Sequence, residues 1–289
     1  MIGITAALGS AASWAAGSFL FKRIGDKVSP FGMTLVKGVI GIAFLIAALA
    51  LVSSTAIETE ALLYLGLSGI LGIAVADTLF FAALRDLGPV ALVVFFMMGQ
   101  IVTALMALVW LGEMPSFRSW VGIWVTLAGV GAVLWPKLGS NASLKRSGMR
   151  GVILGSVSIL CMSASTIVAK PALESVSTIM ATLIRMIAGT VSILCFGLAT
   201  NRIGQWLLPM RNMRLIGRFV FSVAVVTFGG FWLSLVAIKY LDVAIASTLG
   251  ATEPLFVIPL ALLFFNERIS MLESFGAICA SVGIMLLII

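Results

Sequence analysis

Long apolar runs separated by short polar connections fill the chain from end to end. Ten runs are read, at 3–21, 31–53, 61–84, 89–111, 119–135, 151–169, 177–199, 219–238, 243–265 and 273–289. A helix needs ~20 apolar residues to cross the ~30 Å hydrocarbon core of a bilayer, and the runs are close to that length. Backbone groups in lipid must find partners inside the structure. The runs are too continuously apolar for the alternating strands of a barrel, so each is predicted to be a helix. Helix-ending residues punctuate several connections, among them Pro30, the pair Gly88 and Pro89, and Gly112 with Pro115. The predicted fold is an all-α integral membrane protein of ten transmembrane helices.

The pattern repeats. Gly112-Glu113-Met114-Pro115-Ser116 is answered by Asn266-Glu267-Arg268-Ile269-Ser270 at a shift of 154, which also superposes Ala83 on Ala237, Gly122 on Gly276 and Gly129 on Gly283. Earlier in the halves the shift is 148; it puts Lys22 on Lys170, Ser29 on Ser177, Thr34 on Thr182, Gly41 on Gly189 and Lys37 on Arg185. The shift changes because the connection at 201–218 is six residues longer than its counterpart. Residues 1–135 therefore read as a first five-helix unit, 136–150 as a basic connecting loop and 151–289 as a second five-helix unit. Five is odd, so chain continuity turns the second unit over relative to the first. Inverted repeats with sites between them are a mark of secondary transporters.

Composition agrees with this membrane assignment. Charged residues make up 10% of the chain and hydrophobic residues 61%, against about 25% charged in a soluble domain. The net charge of +7 does not point to nucleic acid, because the basic residues sit in connections and form no basic face with interleaved aromatics. Thirteen of the eighteen Lys and Arg fall in the odd-numbered connections and three in the even-numbered ones, with Lys37 and Arg185 inside spans. The positive-inside bias then predicts odd connections in the cytoplasm, both termini outside, and residence in the cytoplasmic membrane. The first run has no basic leader or small-x-small cleavage site and is not read as a removable signal. Histidine is absent, which removes Ser-His and Cys-His pairs and the commonest zinc ligand. No enzyme, cofactor or metal site is predicted. Cys161, Cys195 and Cys279 lie in apolar runs and read as buried thiols.

The repeat, the five-plus-five spans and the paired Glu motifs together resemble the EamA type of the drug/metabolite transporter superfamily. Ala251-Thr252-Glu253-Pro254-Leu255, leading to Asn266-Glu267-Arg268-Ile269-Ser270, is similar to that family's ninth span and following turn. Lys37 and Arg185 match its basic residue early in the second span of each repeat. Gly99 and Gln100 depart from the proline position expected in span four. The resemblance covers essentially the whole chain. It implies a multispan metabolite carrier, often an exporter, without naming a substrate.

Charges at membrane depth are costly and mark candidate sites. Glu253 lies about ten residues into span nine, ~15 Å deep at 1.5 Å per residue. Pro254 follows it and frees the carbonyl of Gly250, so Gly250 and Pro254 mark a helix break. Asp77 in span three aligns with the apolar Phe231, which favours an asymmetric role in substrate or proton binding. Lys37 and Arg185 either attract an anionic substrate group or pair with carboxylates at the repeat interface. Trp14, Ser18, Gln100 and Trp232 are candidate cavity-lining groups. Glu113 and Glu267 read as structural caps of the turn before each half's last span, and Lys22 and Lys170 as helix-end snorkellers. The glycines of the last spans suit close helix contact, peripheral or between subunits.

These readings predict a secondary transporter, an exporter of a small polar or amphipathic metabolite such as an amino acid, working by alternating access. Protons are the candidate coupling ion, and the protein is a monomer or homodimer in the bilayer. The alternatives are a flippase of lipid or lipid-linked sugar, or a membrane assembly protein that does not transport.

Overall fold

The computed structural model describes residues 1–50, 58–99, 101–102, 106, 117–134, 142–241, 246, 249–250, 252–264 and 270–288. In chain order its helices are α1 (Ile2–Gly25), α2 (Pro30–Leu49), α3 (Thr59–Leu87), α4 (Pro89–Phe96), α5 (Phe117–Leu134), α6 (Ala142–Ala169), α7 (Thr178–Ala199), α8 (Ile203–Leu207), α9 (Met213–Tyr240), α10 (Glu253–Phe264) and α11 (Met271–Ile288). Among the described residues six helices are long and apolar enough to cross a membrane: α1, α2, α3, α7, α9 and the Ser147–Ala169 part of α6. Large apolar side chains such as Leu63, Ile153, Leu198 and Phe221 are exposed on the outside of the bundle. That surface is matched to lipid, and the protein is a multi-pass membrane protein.

The sequence signals that start and stop helices act in pairs. Ser29 accepts a hydrogen bond from the Gly32 N–H at 3.2 Å, and its equivalent Ser177 accepts one from Met180 at 3.4 Å. These side chains cap α2 and α7 and satisfy amides that have no partner inside the helix. Gly88 at φ 81° ends α3, and Pro89 then opens α4. This positive φ is one that glycine adopts without a Cβ penalty.

Equivalent helices of the two halves run antiparallel. In α5 and α11, a Cβ placed on Gly129 would lie 2.5 Å from the Gly276 carbonyl oxygen, and one on Gly283 would lie 2.7 Å from that of Gly122. Rising numbers in one helix thus meet falling numbers in the other. Phe31 stacks on Phe196 at 5.4 Å, while Gly41 meets Met186, so α2 and α7 are antiparallel as well. These glycine faces meet each other within the chain and so are not free for a contact between subunits, while the outer faces of the two helices, with Trp124 and Phe275, are exposed as expected of peripheral spans.

The halves also exchange partners. Helix α1 packs antiparallel on α9 of the second half, and α6 of the second half packs antiparallel on α3 of the first. Gly3 lies against Leu241 and Gly151 against Leu87. The Ser10 hydroxyl donates to the Gly230 carbonyl at 2.9 Å, and the Ser158 hydroxyl donates to that of Ala76 at 2.7 Å. Each pair converts into the other by the shifts of 148 and 154. Reciprocity of this kind is what a two-fold pseudosymmetry requires.

Several features differ from the sequence reading. Helices α3 and α9 each contain a π-helical segment, Ile70–Asp77 and Val225–Trp232, a local widening that is frequent at functional sites and that hydrophobic periodicity does not show. The helix of α6 begins at Ala142, inside the stretch read as connecting loop. The extra residues at 201–218 include α8, whose Trp206 stacks on Phe31 at 5.2 Å and 9°. Lys22 donates to the Arg85 carbonyl and Lys170 to that of Ile238, both at 2.7 Å. These lysines close the C-terminal ends of α3 and α9 rather than snorkelling. Cys195 is exposed and Cys161 and Cys279 are half-buried, so the thiols are not core groups. An apolar run in lipid has an outer face, and a small apolar side chain fits there as well as inside.

Candidate functional site

Segments from both halves (α1, α3, α4, α6, α7, α9 and α10) surround a cavity of about 230 Å³. Its polar groups include Ser10, Asp77, Ser163, Thr166, Arg185 and Glu253. Trp14, Phe80, Phe96 and Phe231 provide an aromatic wall. Trp14 meets Phe231 edge-on at 4.9 Å and Phe80 at 6.4 Å, and Phe80 meets Phe96 at 5.1 Å. A mostly apolar wall with a few placed polar groups is the usual make-up of a small-molecule site.

Asp77 closes the π-helical segment of α3 and is ion-paired with Lys37 of α2. Both are buried, at 1% exposure. The Lys37 Nζ also stands 4.4 Å from the centroid of Phe231 and 5.6 Å from that of Phe81, a cation–π arrangement. Lys37 is therefore behind the cavity wall, compensated on the spot.

Arg185 is at the matching place in α7, but its circumstances differ. Position 231, which corresponds to Asp77, holds a phenylalanine. Among the described residues no carboxylate lies within 4 Å of the Arg185 guanidinium. Nη2 donates to Ser165 Oγ at 3.0 Å, and Nε is buried with no hydrogen-bond partner. Ser165 is itself fixed by reciprocal bonds with Ser68, in which each hydroxyl donates to the other residue's carbonyl at 2.7 Å. The serine pair joins α3 to α6 and holds one edge of the guanidinium, while the group still lines the cavity. The site thus holds one positive charge with a donor to spare.

Glu253 lines the cavity from the start of α10. Just before it the α-helical ladder is interrupted. Leu249 and Gly250 are helical, Thr252 lies in a turn, and the bonds Thr252 N to Leu249 O (3.2 Å) and Leu255 N to Thr252 O (2.9 Å) span three residues. The Thr252 hydroxyl donates to the Leu249 carbonyl at 2.6 Å. Pro254 is the second residue of the restarted helix, and Pro259 lies further inside it.

Of the residues singled out in the sequence, the structure brings Trp14, Asp77, Arg185, Gly250 and Glu253 to one cavity. Ser18 lies elsewhere: it is buried and donates to Ala15 of its own helix at 2.8 Å. Trp232 also faces away, its Nε1 donating to Thr178 Oγ1 at 3.1 Å. Gln100, Glu113 and Glu267 lie outside the described residues. At the start of α11 the capping falls to a pair that the sequence reading missed. Ser270 N–H donates to Glu273 Oε2 at 2.9 Å, and Glu273 N–H to Ser270 Oγ at 3.1 Å, a capping box whose S-x-x-E spacing is visible in the sequence. Ser165 and Phe231 were missed too. Phe231 was discoverable, because it occupies the place of Asp77 in the other half.

The arrangement is a polar and aromatic cavity enclosed between two repeats of membrane helices. The EamA-like transporter family matches the chain over residues 1–135 and 149–289, and the chain belongs to that family, in the drug/metabolite transporter superfamily. Twenty-seven chains among solved structures resemble it. One of these, described only as the crystal structure of a protein, is 17% identical, with a TM-score of 0.57 over 99% of this chain and 96% of its own. That likeness concerns the fold alone. No curated protein matches the chain.

Proposed function

We propose that the protein is a secondary active exporter with ten spans, moving a small metabolite that carries an anionic group across the cytoplasmic membrane by alternating access. The ten spans are α1, α2, α3, the span opened by α4, α5, α6, α7, α9, the span containing α10, and α11. The loop charges favour odd connections in the cytoplasm and both termini outside.

The observation that carries this reading is Arg185. A buried cation needs a counter-charge, and Asp77 is already paired with Lys37. A carboxylate on the substrate would meet the guanidinium in a charge-assisted hydrogen bond, while the aromatic wall would take an apolar portion. Glu253, on the same cavity, is the candidate for a second charge contact, as in an amino acid, and for proton coupling. The protein works as a monomer or homodimer in the bilayer.

The test is transport by the purified protein in liposomes, against a pool of labelled amino acids and other small metabolites, with and without a pH gradient. The expected result is uptake above that of empty liposomes, strongly reduced by Arg185→Gln. Uptake equal to that of empty liposomes for every compound would refute the reading.

A further inference from the structure

The connection from α7 to α9 is six residues longer than its counterpart and carries four arginines, Arg202, Arg211, Arg214 and Arg218. All four are exposed, and none is ion-paired among the described residues. No acidic residue occurs between Glu174 and Asp242. The segment therefore presents positive charge that its own stretch of chain does not offset.

These charges are interleaved with apolar surface. Trp206 is buried against Phe31 and Phe196, which fixes α8 to α2 and α7. Leu207, Leu208 and Met213 beside it are exposed. In α9, Leu215, Phe219, Ser222 and Val223 are buried, whereas Arg214, Gly217, Arg218 and Phe221 are exposed. The exposed set has the spacing i, i+3, i+4, i+7 and forms one stripe along the helix. A Cβ on Gly217 would meet nothing within 4 Å, so the ground between the two arginines is open. Helix α9 is long and apolar enough to cross a membrane from Met213 onward. The stripe thus passes from charged to apolar where the span enters the hydrocarbon.

This placement works against the isolated helix. Arg214 and Arg218 are like charges one turn apart, and they stand at the positive end of the α9 dipole. The fold does not require it. The equivalent helix α3 has Glu60 at the position of Arg214 and Tyr64 at that of Arg218. The first amides of α9 do not need an outside anion either, because Asn212 Oδ1 accepts from the N–H groups of Arg214 and Leu215. Orientation in the membrane is served by basic residues anywhere in the connection. What the stripe calls for is negative charge beside the helix with hydrocarbon directly below, and a leaflet containing anionic phospholipid supplies both.

We propose that α8 and the first turns of α9 form a docking surface for anionic phospholipid. Arg214 and Arg218 hold the phosphodiester, and Leu207, Leu208, Met213 and Phe221 meet the acyl region. With the orientation read from the loop charges, the leaflet is the cytoplasmic one, which carries the negative surface potential. The surface does not depend on the transport reading, which flux in liposomes tests separately.

The experiment uses the full chain purified in detergent, with dioleoyl phosphatidylglycerol or dioleoyl phosphatidylcholine added in mixed micelles. Native mass spectrometry measures bound lipid and thermal midpoints measure stabilisation. Phosphatidylglycerol stays bound and raises the midpoint, and phosphatidylcholine does neither. Arg214→Gln with Arg218→Gln weakens phosphatidylglycerol binding about thirtyfold, or about fivefold for each arginine. Lys27→Gln with Arg118→Gln removes the same charge from other exposed positions and leaves binding unchanged. Arg214→Glu installs the residue type of the other half. In phosphatidylcholine its midpoint equals or exceeds that of the wild type, which shows that it folds, while the effect of phosphatidylglycerol is lost. Equal binding of the two lipids by the wild type overturns the proposal. So does equal weakening by the Lys27 and Arg118 pair, which makes the attraction a property of net charge. The same stabilisation by soluble glycerol phosphate overturns the lipid as occupant and leaves a free anion.

Discussion

Thr126 and Ala280 are equivalent positions of the two halves, and the Thr126 hydroxyl lies 3.5 Å from the Ala280 carbonyl oxygen. Two equivalent positions can meet only on the axis that relates them, so the pseudo-two-fold passes between α5 and α11 at this point. Everything reciprocal in the fold is arranged about that axis. The asymmetry of the site, with Asp77 on one side and Phe231 on the other, is then a departure from a symmetric frame.

The frame makes the glycines of α5 and α11 sensitive to any added atom. A Cβ at Gly129 would stand 2.5 Å from both Ala280 N and Gly276 O, and one at Gly283 would stand 2.5 Å from Thr126 N. These are backbone atoms of a packed helix and cannot move aside singly. Gly129→Ala and Gly283→Ala should each cost about 1–3 kcal/mol, the usual price of overpacking. At Gly131 a Cβ meets nothing within 4 Å, so Gly131→Ala should be neutral or slightly stabilising. Thermal unfolding midpoints in detergent measure all three; equal effects at 131 and 283 would contradict the close contact.

The repeat, the membrane helices and the family could be read from the sequence because each rests on spacing. Apolar runs of bilayer length and motifs in register are one-dimensional signals. The π-helical segments of α3 and α9 were not legible, since no residue type signals a change from i+4 to i+5 bonding. The site was half legible. Depth drew attention to Asp77, Arg185 and Glu253, which do share a cavity. Which cation would be spent on Asp77 was not visible, because pairing depends on how α2, α3 and α7 pack. Ser18 and Trp232 show the same limit: a polar group in an apolar run also has its own helix, or a neighbouring helix, to bond.

Reciprocal hydrogen bonds should have reciprocal energies. The Ser10 and Ser158 hydroxyls donate to the Gly230 and Ala76 carbonyls, inside the π-helical segments of α9 and α3. Ser10→Ala and Ser158→Ala should each lower stability by about 1 kcal/mol, the net worth of an ordinary buried hydrogen bond. Denaturation of the two variants side by side checks this. A large effect at one position and none at the other would break the claimed equivalence.

Removing Asp77 should hurt more than removing both members of its pair. Asp77→Asn leaves the Lys37 ammonium buried at 1% exposure without a counter-charge, beside a neutral amide and the faces of Phe81 and Phe231. Loss of one partner from a buried ion pair typically costs about 3–5 kcal/mol, whereas apolar replacement of both is often close to neutral. Asp77→Asn with Lys37→Met should therefore recover most of the stability lost by Asp77→Asn alone. Thermal midpoints in one detergent settle the order; a double variant less stable than the single one would contradict it.

Arg185 should decide which substrates bind. Its guanidinium is held at one edge by Ser165 and keeps Nε without a partner. A hydrogen bond to a charged group is worth about 1.5–3 kcal/mol, so Arg185→Gln should weaken binding of carboxylate-bearing substrates ~10–100-fold. Arg185→Lys should recover only part of this, because an ammonium lacks the planar fork that bonds Ser165 and an anion together. Binding measured by calorimetry on the purified variants tests the order Arg, Lys, Gln. An unchanged affinity in Arg185→Gln would place the anion elsewhere.

Glu253 should carry the dependence on the proton gradient. It is the carboxylate that lines the cavity without an ion-pair partner among the described residues, since Asp77 is held by Lys37. It sits where the helix ladder breaks, between the turn at Thr252 and the restart of α10, so its surroundings can change when α10 moves against α1. A carboxylate at membrane depth can carry charge only with compensation nearby, and protonation is the alternative open to it. Glu253→Gln fixes the neutral form. Transport in liposomes should then continue down a substrate gradient but lose its acceleration by an imposed pH gradient. Initial rates with and without the gradient give the answer, and full retention of gradient dependence in Glu253→Gln would move the coupling group away from α10.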